Sequence, residues 1–196
     1  MAKINNDNIL SRYVKNFLKN ILWNYYGKKI RNPSIPAFPK TLLFICKGNI
    51  CRSPFAERLA RKMILDKGIE GVSVDSAGFE AVNSNMSPTE AVRSALRFGI
   101  SLENHYAKAL DFSMIKSADM VFVMEVAHKQ HLAMSFPIDK DKIFLLPLFY
   151  TSPNDRTSSY IQFNVPDPYG QIEDKFTDCY SQIDRCLSGL ISSIYK

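Results

Sequence analysis

Hydrophobic and polar positions divide most of the chain into alternating short strands and longer helices. Continuous apolar runs predict buried strands at Thr41–Cys46, Val72–Ser76, Met120–Met124 and Ile143–Leu146. Apolar residues at helical spacing, with glycines or prolines at the ends, predict helices over Pro54–Lys67, Pro88–Phe98, Val126–Ser135 and Gln171–Tyr195. This alternation predicts an α/β fold, a doubly wound four-stranded parallel sheet with helices on both faces.

The first 28 residues follow a different pattern. Apolar residues from Leu10 to Tyr25 recur on one face of a helix, whereas lysines, arginine and asparagines occupy the other face. Gly27 suits the end of such a helix, and three prolines between positions 33 and 39 exclude helix there. We therefore predict an amphipathic helix over 1–28 and an extended linker over 29–40, followed by a globular domain over 41–196.

The charge of the chain is concentrated in this front part. Residues 1–40 carry eight basic groups and one acidic group, a net charge of +7, so the remainder contributes −1 to the total of +6. Because the globular part is electrostatically balanced, no nucleic-acid partner is expected.

The basic amphipathic helix has three competing interpretations. It folds back onto the domain or a second copy of the chain, it lies on an anionic membrane surface through residues 8–28, or it docks to a protein partner. Charges interrupt its apolar residues, which disfavours a secretory signal. With only four cysteines in 196 residues, the chain is expected in the cytoplasm, with membrane association as one use of this helix.

The first predicted strand leads into a loop suited to bind an anion. The sequence from Cys46 to Pro54 is CKGNICRSP, a Cys-x5-Arg-Ser pattern between a strand and a helix. Backbone N–H groups of so short a loop can point inward as an anion nest, and the helix N-terminus adds its own free N–H groups. Arg52 offers a planar guanidinium for two phosphoryl oxygens. The pattern indicates a phosphate-binding loop.

The cysteine in this loop indicates nucleophilic chemistry. Cys46 is expected at the floor of the loop, where the positive potential favours its thiolate and the Ser53 hydroxyl can donate to sulfur. Gly48 permits close backbone approach, and Pro54 suits the first helical turn. The arrangement fits attack of Cys46 on a phosphoryl group. The alternative is a buried structural cysteine with Arg52 on the surface by chance.

A cysteine-dependent phosphatase also needs an acid to protonate the leaving oxygen. The best candidate is Asp167, which two neighbouring prolines hold in a stiff loop, with Tyr169 as an aromatic wall of the pocket. Asp155 and Asp174 are the alternatives.

Further motifs follow the loop in order: DSAG at Asp75–Gly78, HYAKAL at His105–Leu110, DMVFVMExxH from Asp119 to His128, and DPY at Asp167–Tyr169. With these motifs the chain resembles the low-molecular-weight protein tyrosine phosphatases over about residues 41–196. The resemblance implies hydrolysis of phosphotyrosine through a cysteinyl-phosphate intermediate. It makes Cys46 the nucleophile, Arg52 the transition-state clamp and Asp167 the general acid.

The resemblance also implies supporting residues and a substrate. Asn49, Ser76 and His105 match positions that brace the phosphate loop, and Ser53 matches the hydroxyl that stabilises the thiolate. Phe79 is the aromatic residue of the loop that supplies a second wall. The complete expected set of phosphate-binding and loop-supporting residues is Lys47, Gly48, Asn49, Ile50, Cys51, Ser53, Ser76 and His105. No cofactor is expected, and the expected partner is a phosphotyrosine protein.

Several departures and rival functions remain open. Thioredoxin-coupled arsenate reductases share the fold but need two relay cysteines before the Asp-Pro element, whereas Cys179 and Cys186 follow Asp167 and are expected to be half-buried helix residues. Protein-arginine phosphatases of the family have Thr where this chain has Ile50, so Ile50 favours phosphotyrosine. A module that only binds phosphate is the non-catalytic alternative.

Three further expectations concern specificity and metal. Lys47 stands where the family often has a small or aliphatic residue, which would bias the pocket toward acidic peptides. His128 and His131 with Glu125 imitate a metal cluster, but no metal is expected there. Bacterial members resembling the chain often act on tyrosine kinases of exopolysaccharide export, and such a kinase is the predicted substrate.

Overall fold

The computed structural model describes residues 30–150 and 160–195. The amphipathic helix predicted over 1–28 therefore lies outside the described residues. The four strands are β1 (Thr41–Cys46), β2 (Ser73–Gly78), β3 (Met120–Val123) and β4 (Ile143–Leu145). Every pair is parallel and the order across the sheet is β2-β1-β3-β4. The predicted α/β fold is confirmed.

Six α-helices and two short 3-10 helices occur among the described residues. The α-helices are α1 (Arg52–Asp66), α2 (Thr89–Leu96), α3 (Phe112–Ser117), α4 (Val126–Ser135), α5 (Tyr160–Phe163) and α6 (Glu173–Ile194), and the 3-10 helices are Pro137–Lys142 and Leu146–Phe149. The prediction located α1, α2, α4 and α6. It missed α3, α5 and both 3-10 helices, which are too short for helical periodicity to show.

Alternate residues of β1 face two separate hydrophobic clusters, as the pleat of a strand requires. Leu42 and Phe44 point into the cluster that contains the inner faces of α1 and α6. Leu43 and Ile45 point into the opposite cluster, which contains residues of α3 and α4. The sheet is therefore covered on both faces, and its carboxyl edge is left for the loops.

The described part of the predicted linker is attached to the sheet. The Asn32 side chain accepts from the Leu145 N–H at 2.7 Å and donates to the Leu145 carbonyl at 3.1 Å, so it pairs with the edge strand β4. Further along, the Asp119 carboxylate accepts from the backbone N–H groups of Lys40 and Thr41 at 2.7 and 2.9 Å. Residues 30–40 thus run along the sheet from the carboxyl end of β4 to the amino end of β1.

None of the helices within the described ranges is long and apolar enough to cross a bilayer.

Candidate active site

The loop between β1 and α1 encloses the sulfur of Cys46. The Asn49 N–H donates to Cys46 Sγ at 3.3 Å, and Ser53 Oγ lies 3.1 Å from the same sulfur. When Cys46 is ionised, Ser53 must be the donor, because a thiolate can only accept. Asn49 adopts a left-handed conformation with φ +52°, which asparagine tolerates better than most residues. The turn at Asn49 therefore directs a backbone donor at the sulfur.

The buried Asn49 side chain joins the loop to the neighbouring strand. Its Nδ2 donates to Ser53 Oγ and Ser76 Oγ, both at 2.9 Å, and its Oδ1 accepts from the Lys108 N–H at 2.8 Å. Ser76 Oγ in turn donates to Glu57 at 2.6 Å. All polar atoms of the Asn49 amide group thus have partners, which makes the network rigid and leaves little freedom in the loop.

Two further residues support the backbone of the loop. His105 Nε2 lies 2.7 Å from the Asn49 carbonyl oxygen, and this contact is a hydrogen bond when Nε2 carries the proton. Burial lowers the pKa of His105 and outweighs the opposing effect of this bond. At Gly78 a Cβ atom would lie 2.7 Å from the Lys47 carbonyl oxygen and 2.8 Å from the Asn49 nitrogen. The loop therefore packs directly on the end of β2, where only glycine fits.

Arg52 is 1% exposed and its guanidinium joins two carboxylates. Nη1 donates to Glu125 Oε1 at 2.5 Å and to the Val165 carbonyl at 3.1 Å, and Nη2 lies 2.8 Å from Asp167 Oδ2. Burial by itself would lower the pKa of Arg52, but the charges of Cys46, Asp167 and Glu125 raise it above its ordinary value. Arg52 is therefore a permanent, oriented cation.

These groups meet in a cleft of about 280 Å³ at the carboxyl edge of the sheet. Its lining contains eight of the predicted site residues, namely Cys46, Lys47, Gly48, Ile50, Cys51, Arg52, Asp167 and Tyr169. Asn49, Ser53, Ser76 and His105 are buried behind the loop. Glu80, Val82 and Asn85 also line the cleft and were not predicted.

Phe79 is placed differently from the prediction. Its ring is not part of the cleft lining and lies against the rings of His128 and His131, with centroids 4.9 and 5.2 Å apart. The wall that the prediction assigned to Phe79 is formed by Val82 and Asn85 further along the same loop. The physical reason is that Phe79 packs against the hydrophobic cluster on the face of the sheet covered by α3 and α4.

The rim of the cleft carries paired charges. Lys47 Nζ lies 3.2 Å from Glu80 Oε2, and both side chains are more than half exposed. Because Glu80 offsets the charge of Lys47, the predicted bias of Lys47 toward acidic peptides is weakened. Tyr169 is 62% exposed, and its backbone N–H donates to Asp167 Oδ1 at 3.3 Å.

The His128 side chain is buried beside Glu125, with Nε2 3.4 Å from Glu125 Oε1. Burial lowers the pKa of His128 to about 4, although the charge of Glu125 opposes this shift. Within residues 30–150 and 160–195, no group of three or more His, Cys, Asp or Glu side chains is arranged to hold a metal ion.

The remaining cysteines are buried free thiols. Cys179 and Cys186 lie on the inner face of α6, and burial raises the pKa of both, to about 12 for Cys186. Burial also raises the pKa of Cys51, with smaller contributions from Cys46 and Asp167. The prediction of half-buried helix cysteines understated the burial of Cys179 and Cys186.

Four residues were not assigned a supporting role from the sequence: Glu57, Gly78, Lys108 and Glu125. Three of them lay inside quoted motifs, Gly78 in DSAG, Lys108 in HYAKAL and Glu125 in DMVFVMExxH. Each motif therefore held a signal, but the contacts join positions as far apart as Arg52 and Glu125, which sequence spacing does not reveal.

Comparisons with known proteins agree with this geometry. The model of the family described as low molecular weight phosphotyrosine protein phosphatase matches residues 41–196. The probable low molecular weight protein-tyrosine-phosphatase EpsP of Ralstonia nicotianae is 32% identical over 155 residues, 79% of this chain and 96% of EpsP. The protein-arginine-phosphatase of Bacillus subtilis is 31% identical over 155 residues, 79% of this chain and 97% of that protein.

A solved structure is also similar to the fold of this chain. The crystal structure of the tyrosine phosphatase amsI of Erwinia amylovora has a TM-score of 0.72 and 25% identity, and the match covers 85% of this chain and all of amsI. The loop, the cleft and these matches lead to one conclusion: the chain is a phosphatase and belongs to the low molecular weight phosphotyrosine protein phosphatase family.

Proposed function

We propose that the chain hydrolyses phosphotyrosine in proteins through a cysteinyl-phosphate intermediate. In this proposal Cys46 is the nucleophile, Arg52 holds the phosphoryl oxygens and Asp167 is the general acid. The observation that carries the proposal is the meeting of all three groups in one cleft, with Asp167 2.8 Å from the Arg52 guanidinium.

In this proposal, the substrate phosphate replaces Asp167 as a partner of Arg52. Arg52 Nη2 is paired with Asp167, whereas Glu125 and the Val165 carbonyl hold Nη1 from the other side. A substrate phosphate dianion, with inward-facing loop N–H groups around it, competes with Asp167 for the guanidinium. Binding therefore releases the Asp167 carboxyl group from Arg52 and leaves it beside the leaving oxygen.

The chemical steps follow from these positions. Cys46 Sγ attacks phosphorus, so an S–P bond forms while the P–O bond to tyrosine breaks and Asp167 gives its proton to the phenolic oxygen. In the second step the Asp167 carboxylate takes a proton from a water molecule, whose oxygen attacks phosphorus. The S–P bond then breaks, and phosphate and the Cys46 thiolate are released.

The buried network supports this role for the loop. Ser53 and the Asn49 N–H direct donors at the sulfur, which stabilises the thiolate both as nucleophile and as leaving group. Ser76 and His105 support Asn49 from two sides, so the donors need not reorganise during reaction.

Apolar groups in the cleft favour an aromatic substrate. Ile50, Val82 and Tyr169 line the space above the loop, and their surfaces suit the ring of phosphotyrosine better than a charged guanidinium. Relatives include enzymes named for tyrosine and for arginine, so the family alone does not choose between them. The lining of this cleft supports phosphotyrosine.

The burial of Cys179 and Cys186 argues against the alternative of a thioredoxin-coupled arsenate reductase. A thioredoxin-linked relay needs cysteines that reach the surface, but Cys179 and Cys186 are at most 4% exposed. Burial raises the pKa of both thiols and so disfavours the reactive thiolate.

We also propose a tyrosine kinase of polysaccharide export as the substrate and the basic segment 8–28 as the attachment to an anionic membrane or a protein partner. The concentration of positive charge before residue 41 supports attachment to an anionic surface. The test is deletion of 1–28, which leaves the pairing of Asn32 with Leu145 intact. Loss of liposome or kinase binding with unchanged melting temperature supports attachment, whereas a lowered melting temperature indicates fold-back packing.

A substrate panel with a trapping variant tests the enzymatic proposal. Wild type should hydrolyse phosphotyrosine peptides much faster than phosphoserine or phosphoarginine peptides, and should not reduce arsenate with thioredoxin. Cys46→Ser should lose at least about 10⁴-fold in turnover, because serine is not ionised at neutral pH. It should still bind phosphate by calorimetry. Preference for phosphoarginine, or substantial turnover by Cys46→Ser, would overturn the proposal.

A further inference from the structure

A second cleft adjoins the cleft that contains Cys46, here called the reaction cleft, at Asp167. It has a volume of about 550 Å³, roughly twice that of the reaction cleft, and is formed by the loop that contains Asp167 and by one face of α6. Asp167 lines both clefts, so the two meet at this residue. A molecule that places a phosphoryl group above Cys46 can therefore extend into the second cleft without leaving the surface.

The second cleft combines an apolar floor with polar edges. Pro166, Pro168 and the buried Cys179 provide apolar surface, whereas Gln171 and Ser181 provide hydrogen-bonding groups. Such a surface suits a polypeptide segment, which needs both apolar contacts and partners for its backbone N–H and C=O groups.

The second cleft is lined by two carboxylates, Asp167 and Asp178, and by two cations, of which one has no carboxylate partner among the described residues. Lys175 and Asp178 form an ion pair at 3.2 Å and offset each other. Arg185 is exposed and has no carboxylate within ion-pair distance among residues 30–150 and 160–195. Its guanidinium lies over the Tyr150 ring, 5.3 Å from the centroid. Stacking on an aromatic face leaves the in-plane N–H donors of an arginine available for a carboxylate.

We propose that the second cleft binds an acidic segment of the phosphoprotein substrate, with Arg185 as the residue that selects it. The inference rests on the proposed function, because it assumes a phosphotyrosine polypeptide in the reaction cleft. Lys47 cannot provide this selection alone, since Glu80 pairs with it. The cation that favours an acidic neighbour of phosphotyrosine is therefore on α6 rather than in the phosphate loop.

The geometry of α6 sets the length of the segment. Lys175 and Arg185 are ten residues apart on the helix, which corresponds to about 15 Å along its axis. An extended chain covers that distance with four to five residues at about 3.3 Å each. Test peptides should therefore carry a run of about five flanking residues of one kind beside phosphotyrosine, on each side in turn.

The experiment compares three phosphotyrosine peptides that differ only in flanking residues, which are Glu, Gln or Lys. For wild type the KM should be about two- to fivefold lower for the Glu peptide than for the Gln peptide, the size expected of one exposed ion pair. The value of kcat should be similar for both. Arg185→Glu should abolish or reverse this preference and leave turnover of p-nitrophenyl phosphate unchanged, since this small substrate cannot reach the second cleft.

Two matched variants sharpen the test. Asp178→Asn releases Lys175 from its ion pair and should increase the preference for the Glu peptide. Lys67→Glu makes the same sign of charge change at the far end of α1, about 20 Å from the loop along the helix axis, and should leave the preference intact. Binding of the three peptides to Cys46→Ser by fluorescence anisotropy should show the same order without turnover.

The outcomes separate the inference from the proposed function. Equal KM values for the three peptides in wild type, or an undiminished preference in Arg185→Glu, would overturn the inference and leave the phosphatase assignment standing. Failure of wild type to hydrolyse any of the three peptides would overturn the proposed function, and the inference with it.

Discussion

The floor and the rim of the reaction cleft are built in opposite ways. On the floor, the polar groups of Asn49 and Ser53 and both Nη atoms of Arg52 are buried and bonded to one another or to neighbouring segments. On the rim, Glu80 and Tyr169 are mostly exposed and make few contacts. Buried polar networks are rigid because any displacement leaves a group unsatisfied, whereas exposed groups exchange partners with water at little cost.

This difference separates catalysis from recognition. The floor holds the groups that act on the phosphoryl group, which is identical in every phosphoprotein. The rim and the second cleft contact the part of the substrate that differs between proteins. Substitutions on the floor should therefore change kcat or stability strongly, and substitutions on the rim should change KM modestly. Substitutions at Arg52, Asp167, Asn49 and Tyr169 test this division.

Arg52→Lys should reduce kcat/KM by at least about 10³-fold. A lysine ammonium is a point charge that cannot donate to two phosphoryl oxygens while keeping the contacts with Glu125 and Val165. Turnover of p-nitrophenyl phosphate measures the loss of catalysis, and calorimetry measures the loss of affinity for phosphate. Arg97→Lys is the control, because Arg97 forms an exposed ion pair with Glu173 and should tolerate the change. Retention of more than a tenth of the wild-type kcat by Arg52→Lys would contradict the role of Arg52 as a group that acts on the phosphoryl group.

Asp167→Asn should lose about 10²- to 10⁴-fold in rate for aryl phosphates with poor leaving groups, and much less for those with good leaving groups. An amide cannot supply the proton, and a good leaving group does not need one. Glu125→Gln is the matched control, because Glu125 is the other carboxylate on Arg52. Its effect should be the same for all leaving groups. If Asp167→Asn, like Glu125→Gln, lowers the rate by the same factor for good and poor leaving groups, Asp167 acts only by orienting Arg52. Asp174 then becomes the candidate acid.

The floor was largely predictable from the sequence, and the rim was not. Cys46, Arg52 and Ser53 lie within eight consecutive residues between a strand and a helix, so local geometry alone brings them together. The bounds of β1 and α4 were also predicted to the residue, and β1 is the nearly continuous apolar run expected of a buried strand.

The rim depends on contacts between distant segments. The position of Val82 follows from the docking of its loop on the segment near Ala107, where the Ser84 N–H donates to the Ala107 carbonyl and the Ala107 N–H donates to the Asn85 carbonyl. Nothing in the local sequence specifies these pairs. Phe79 was therefore expected in the wall because it is aromatic, although its ring packs on His128 instead.

Substitutions at Asn49 test whether the buried hydrogen-bond network or the left-handed backbone conformation holds the floor in place. Asn49→Gly keeps the backbone conformation and removes the amide that serves Ser53, Ser76 and the Lys108 N–H. We expect it to lower the free energy of unfolding by on the order of 3 kcal/mol and kcat by about 10- to 100-fold, since buried donors lose their partner. Asn49→Ala should be about 1 kcal/mol worse, because alanine also strains the left-handed backbone.

Ser84 supplies the control on the rim for this experiment. It has φ +70° and is exposed, so Ser84→Gly should leave stability unchanged or raise it slightly. For the Asn49 and Ser84 variants, urea unfolding measures the change in stability, and turnover of p-nitrophenyl phosphate measures the change in kcat. Equal stability of Asn49→Gly and wild type would show that the network contributes nothing to the floor.

The smallest effect is expected at Tyr169. Its side chain is 62% exposed and lines the cleft, so Tyr169→Ala should leave the melting temperature unchanged. Loss of one aromatic contact with the substrate ring should raise KM for a phosphotyrosine peptide by about two- to tenfold, with kcat nearly constant. Tyr106→Ala is the matched control, because Tyr106 is also exposed but does not line the cleft. A large drop in kcat for Tyr169→Ala would mean that the ring also positions Asp167, two residues before it, and the boundary between floor and rim would then lie beyond Tyr169.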